Sequence, residues 1–199
     1  MIDQPLHVVG IGGTVRPGSS TEQALRSALA RVEAMGATTT CFGGAELSEL
    51  AMYDPRSSAR SSMAMFLLSE LRKADAIVIA SPGYHGGVSG LVKNALDYTE
   101  DLRADPRPYF HGLPVGCIAT GAGWQGVVTT LNQLRTIVHA LRGWPTPLGI
   151  GINTVETTFD SDGRGDSKLE KQLTVMQQEL FGSASLHRRA AWPAQHVGT

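Results

Sequence analysis

The segment VVGIGGTVRPGSSTEQAL, Val8 to Leu25, sets an apolar run, a glycine-rich turn and a helix-like pattern in direct succession. Thr14, Ser19, Ser20 and Thr21 bring hydroxyls to that turn, and Arg16 brings a fork of N–H donors. A helix start adds unpaired backbone N–H groups and the positive end of the helix dipole. Together these groups suit a phosphate. A dinucleotide fingerprint, G-x-G-x-x-G/A, starts at Gly10-Ile11-Gly12 but meets Val15 at its last position, and Gly43-Gly44 supply no carboxylate for a ribose. A nucleoside-triphosphate loop is spaced correctly from Gly13 to Gly18, yet Ser19 stands in place of its lysine. What survives is a site for one phosphate monoester. Ser19 to Glu22 and Ser20 to Gln23 also fit capping boxes, but capping alone needs neither Arg16 nor so many hydroxyls.

Two later loops supply a different chemistry. In ASPGYHGGVSGLVKNALDY, Ala80 to Tyr98, Ser81-Pro82-Gly83 turns the chain and Gly86-Gly87 lets backbone N–H groups approach a planar ligand. Tyr84 would cover such a ring, while Asn94 and Asp97, one turn apart, would brace the loop. His85 has no carboxylate at a fixed spacing and is read as an exposed histidine, not a general base. The third loop, TGAGWQG from Thr120 to Gly126, again favours close backbone approach, with Trp124 or Gln125 at the ring edge. No metal motif and no G-x-S-x-G elbow is present. With no evident acid, base or nucleophile, a cofactor must carry the chemistry. A phosphate monoester joined to a flat ring describes FMN.

The elements that must position these loops alternate. Leu6 to Ile11, Thr38 to Phe42, Ala76 to Ala80, Val115 to Ala119 and Leu148 to Ile152 read as strands. Ser20 to Met35, Ser61 to Lys73, Ser89 to Thr99, Trp124 to Leu141 and about Lys168 to Phe181 read as helices. The fourth aligns Val127, Leu131, Leu134, Val138 and Leu141, and the fifth aligns Leu169, Leu173, Met176 and Leu180. Strict alternation predicts an α/β fold: a doubly wound five-stranded parallel sheet, order 2-1-3-4-5, with ligands beyond the carboxyl ends of its strands. Residues 1–181 form one domain in this reading. Residues 182–199 form a C-terminal tail, extended or mobile, or laid across a neighbouring subunit through Trp192.

Composition narrows the function classes. The 199 residues suffice for one domain with a full core, and 18% charged with 42% hydrophobic is an ordinary globular balance. A net charge of −1 provides no field to gather nucleic acid or an anionic membrane, and it counts against an acidic electron carrier. Cys41 and Cys117 lie in separate apolar runs and read as buried and reduced. With no signal-like start and no long apolar stretch, the expected compartment is the cytoplasm.

Two of these motifs, taken in order, resemble the NADPH-dependent FMN reductase family, whose fold is flavodoxin-like. The family's G-S-x-R-x-x-S matches Gly13 to Ser19 with Thr14 in place of serine, and S-P-x-Y-x-G-x-x-x-G-x-x-K-N-A-x-D matches Ser81 to Asp97. The resemblance covers about Leu6 to Ile152. It implies that Thr14, Arg16, Ser19, Ser20 and Thr21 hold the FMN phosphate. It places Pro82, Gly83, Tyr84, His85, Gly86 and Gly87 along the isoalloxazine, with Thr120, Gly121, Ala122 and Gly123 at the other edge. Val88 stands where alkanesulfonate-type members often carry a tyrosine, a departure from that branch.

The implied activity is hydride transfer from NAD(P)H, either NADH or NADPH, to FMN. The reduced flavin then serves a partner monooxygenase or reduces a second substrate in the same pocket. Alternatives are a tightly bound FMN acting on a quinone, azo compound or cyclic biosynthetic intermediate, and a flavodoxin-like electron carrier. The resemblance also implies a homodimer or homotetramer.

Overall fold

The computed structural model describes residues 4–160 and 163–190. The apolar runs form β1 (His7–Gly12), β2 (Thr38–Phe42), β3 (Ala76–Tyr84) and β5 (Pro114–Gly121). The last long run forms β7 (Ile150–Asn153), with β4 (Gly87–Val88) and β6 (Trp144–Pro145) as two-residue strands. Between them lie α1 (Ser20–Glu33), α2 (Gly44–Ser48), α3 (Ser62–Lys73), α4 (Gly90–Asp97), α5 (Trp124–Ala140) and α6 (Ser167–Ala190). A 3-10 turn, Tyr98–Leu102, extends α4. Parallel pairing runs β2-β1-β3-β5, and β6 and β7 share the far edge of β5. Counting the long strands alone, this is the expected order. The expected five strands become seven because β4 and β6 are too short to leave a pattern in sequence.

The central strands β1, β3 and β5 bury both faces, as a parallel sheet covered on two sides requires, while the edge strand β2 is only partly covered. On β3, Ile77 and Ile79 point toward the helices α3 to α5, while Ala76, Val78 and Ala80 point toward α1 and α6. Gly116 on β5 faces α6 so closely that a Cβ there would lie 2.9 Å from Met176 Sδ. The α6 stripe Leu169, Leu173, Met176, Leu180 is buried as expected. It does not stop at Phe181. Ala184 continues the stripe into the core, and Arg188 pairs with Asp75 and the carbonyls of Gln4 and Pro5. Residues 182–190 are therefore helix and not tail, while the expected anchor Trp192 lies outside the described residues.

At the carboxyl end of the sheet, β3 outruns the core and folds back on β4 as an antiparallel hairpin pairing Gly83 with Val88 and Tyr84 with Gly87. The two turn residues, His85 and Gly86, have φ of 52° and 78°. Two left-handed residues define a type I′ turn, whose twist matches that of the flanking strands. Ser81 Oγ, fully buried, accepts from Ser89 N at 3.0 Å and fixes the return of the chain. From α5, Gln133 Oε1 accepts from Val88 N at 3.1 Å.

Candidate functional site

The loop from β1 to α1 is shaped by its own side chains. Thr14 Oγ1 accepts from Arg16 N at 3.2 Å, closing a short turn. Gly18, with φ of 66°, is held from both sides: its N–H donates to Glu22 Oε2 at 3.2 Å and its carbonyl accepts from Gln23 Nε2 at 2.6 Å. Ser19 caps α1 by accepting from Glu22 N at 3.3 Å, so the capping reading holds for this residue. Capping leaves the first-turn N–H groups of Ser20 and Thr21 without intrahelical acceptors. Below the loop, a Cβ on Gly44 would meet Thr14 O at 1.7 Å. That glycine lets the loop lie flat on the start of α2.

Three more segments meet this loop. The hairpin contributes Pro82, Gly83, Tyr84 and His85; the end of β5 contributes Thr120, Gly121 and Ala122; Thr154 follows β7. With Thr14, Val15, Arg16, Ser19 and Ser20 they enclose a cleft of about 570 Å³, within the roughly 300–1,000 Å³ of small-ligand sites. Arg16 is exposed and enters no ion pair with a described residue. No carboxylate is among the described residues lining the cleft. The donor set is therefore hydroxyls, backbone N–H groups and one guanidinium at one end, with glycine backbone and an open tyrosine ring at the other. It fits an anionic phosphate attached to a planar ring, which is the shape of FMN.

Four of the expected site residues do not line this cleft. Thr21 is 2% exposed and its Oγ1 lies 2.6 Å from Thr120 Oγ1, so its hydroxyl ties α1 to β5 behind the loop. Gly86 and Gly87 stand at the hairpin tip and return strand, and Gly123 caps α5. Asn94 and Asp97 do not brace the hairpin. Asn94 Oδ1 accepts from Tyr53 N at 2.8 Å and its Nδ2 donates to Ala51 O, while Asp97 pairs with Lys93. Trp124 turns away from the cleft and donates to Glu156 Oε1 at 2.8 Å, an oxygen that also accepts from Asn153 Nδ2 at 2.7 Å. Sequence reasoning passed over Val15 and Thr154. Val15 could have been included from its place between Thr14 and Arg16, and Thr154 from its place just past the fifth long strand. Cys117 is fully buried, and burial pushes its thiol up to about 12. Cys41 is only half-buried, not the buried residue expected.

Strand order and cleft position define the class: a doubly wound α/β domain whose ligand cleft lies at the carboxyl ends of its strands. The chain belongs to the NADPH-dependent FMN reductase family, whose model matches residues 6–155. It is 40% identical over 117 residues to an FMN-dependent NADPH-azoreductase of Staphylococcus saprophyticus, a match covering 58% of this chain and 53% of that protein. The Staphylococcus aureus protein of the same name is 41% identical over 91 residues, covering 45% and 40%. The chain thus spans about half the length, or less, of these curated relatives. An oxidoreductase from Corynebacterium diphtheriae superposes with a TM-score of 0.72 at 19% identity, over 92% of this chain and 99% of that one. The flavoenzyme NAD(P)H:(acceptor) oxidoreductase FerB from Paracoccus denitrificans superposes with a TM-score of 0.71 at 18% identity, over 92% and 98%. These solved structures share the flavodoxin-like fold. Among the described residues, no helix is long and apolar enough to cross a membrane, and no group of three His, Cys, Asp or Glu side chains could hold a metal.

Proposed function

We propose that this chain is an FMN-dependent oxidoreductase that takes hydride from NAD(P)H and delivers it to a small organic acceptor in the same cleft. The observation that carries the reading is the division of the cleft: phosphate donors without a carboxylate at one end, close backbone and an open tyrosine face at the other. FMN bound there supplies the hydride-accepting ring chemistry. Arg16, the hydroxyls of Ser19 and Ser20, and the first N–H groups of α1 hold its phosphate. Gly83 and Gly121 let the hairpin and the end of β5 pack tightly on α5, where a Cβ would meet Thr130 and Val127, and Tyr84, 58% exposed, offers a platform at the open side. The chain itself contributes position and orientation.

The azoreductases among the relatives favour an azo compound as acceptor over release of reduced FMN to a monooxygenase. α5 leaves Trp124 and Val128 exposed, at 43% and 51%, which supports a homodimer or homotetramer, measurable by sedimentation. The same reading takes the cytoplasm as its setting.

The decisive experiment compares FMN with riboflavin, which has the same ring and no phosphate. Arg16→Ala removes a charge-assisted hydrogen bond worth ~1.5 kcal/mol in this exposed position, or about tenfold in FMN affinity. Riboflavin affinity should stay unchanged, both being read by flavin fluorescence quenching. Equal losses for both ligands in a folded protein would remove Arg16 from the phosphate site. Failure of the wild type to oxidise NADPH or NADH with added FMN and an azo or quinone acceptor would overturn the function.

A further inference from the structure

A second cavity, about 500 Å³, opens at the opposite, amino-terminal end of the sheet. There, β6 pairs Trp144 with Pro114, the first residue of β5. The eight residues of β5 separate this cavity from Thr120 and Gly121 in the cofactor cleft by roughly 25 Å. The walls carry three imidazoles, from His111, His139 and His187, together with Arg142 and the indole of Trp144. No carboxylate is among the described residues that line it.

The cavity is built by unusual backbone. Tyr109, Gly112 and Arg142 have φ of 53°, 76° and 64°. Apart from His85 in the cofactor cleft, Tyr109 and Arg142 are the only non-glycine residues with positive φ among those described. Such conformations persist where the surroundings over-determine them, and they cluster at ligand sites. Here the surroundings are a short ladder: Phe110 N donates to Leu141 O at 3.0 Å, Gly112 N to Arg142 O at 3.1 Å, and Trp144 N to Leu113 O at 2.8 Å. Gly112 also lets the His187 ring lie on the backbone, since a Cβ there would sit 2.5 Å from the imidazole Cε1. Arg142 places its guanidinium 5.7 Å above the Tyr109 ring and enters no ion pair with a described residue. Trp144 remains 66% exposed.

We propose that this cavity is a second binding site, taking a small aromatic anion such as an arene carboxylate or sulfonate. Arg142 supplies a permanent charge and a planar fork that matches a carboxylate or sulfonate. His139 and His187 each carry an N–H donor in either tautomer. Trp144 offers a flat apolar wall for a ring, and the Arg142 guanidinium without a carboxylate among the described lining residues selects against cationic ligands and favours an anion over its neutral isostere.

The test is calorimetric titration of the FMN-saturated protein with 2-naphthoate and with its neutral isostere, 2-naphthamide. The expected result is one saturable naphthoate site, with naphthamide about tenfold weaker. Arg142→Asn removes the charge with a residue that tolerates positive φ, and should weaken naphthoate by a similar factor. Trp144→Ala should weaken both probes. Equal binding of the two probes to the wild type overturns the proposal. So does naphthoate binding that survives both substitutions, and so does the absence of saturable binding at millimolar concentration.

Discussion

Thr21→Val tests whether that hydroxyl serves the fold or the ligand. The substitution keeps the side-chain shape and deletes one partner of the 2.6 Å contact between Thr21 Oγ1 and Thr120 Oγ1. Both residues are nearly sealed, at 2% and 3% exposure, so water replaces the lost partner poorly. Leaving the Thr120 hydroxyl unsatisfied costs ~1–3 kcal/mol. In a chain of this size each kcal/mol lowers Tm by about 2–4 °C, so the apo protein should melt about 2–12 °C lower. Thr120→Val should cost a similar amount. The double variant removes both polar groups and should recover most of the loss, because two apolar side chains of the same shape need no partner. Thermal denaturation of all four proteins gives the coupling energy directly. FMN titration of Thr21→Val should stay within about threefold of the wild type. If its FMN affinity fell more than about tenfold at an unchanged Tm, the threonine pair would have to open on binding and Thr21 would belong to the phosphate site after all.

Gly83→Ala should destabilise by ~1–3 kcal/mol and weaken FMN binding. The new Cβ would meet Thr130 Oγ1 at 2.7 Å and the Gly126 carbonyl oxygen at 3.1 Å, and an unchanged melting curve would refute this. Glu156→Ala frees the Trp124 indole and the loop that carries Thr154, and should red-shift tryptophan emission and weaken FMN about threefold. Glu156→Gln keeps an acceptor oxygen and should resemble the wild type in both readouts. Arg60 beside Asp101, helped by Tyr53, holds that carboxyl below its ordinary value of 3.8. A depressed folded value means stability that is present above pH 3.8 and lost as pH falls through the depressed value. The urea-midpoint gap between wild type and Arg60→Gln should therefore be full at neutral pH and close in acid; a constant gap would refute the pairing.

The long strands were legible because a parallel sheet covered on both faces needs continuous apolar runs, and Ala76 to Ala80 or Val115 to Ala119 supply them. The hairpin was not. Ser81-Pro82-Gly83 carries turn residues, yet Pro82 stays in register with Thr120 as the last pair of β3 with β5. The end of α6 was hidden for a different reason: beyond Phe181 the stripe is sustained, among the described residues, by the small Ala184, and Arg188 is held by contacts to residues 113 and more positions away. At the site, glycine and hydroxyl types at strand ends exposed three of the four segments. The fourth, Thr154, is a single threonine with no pattern of its own. The role of Thr21 was unreadable because its partner lies 99 residues away, whereas its neighbour Ser19 caps a helix locally. Spacing reveals local chemistry and is silent about partners that only the sheet brings together.

The type I′ turn at His85-Gly86 carries a consequence for what can stand at the lip of the cleft. A left-handed φ of 52° admits glycine, asparagine, aspartate and histidine with little strain and excludes β-branched and bulky residues. The side chain at this lip of the cleft is thus chosen first by the turn and only then by chemistry. A hairpin locked by Ser81, Ser89 and Gln133 also loses little freedom when a ring arrives. Specificity at this edge can diverge through a handful of small polar side chains while the frame beneath them stays fixed.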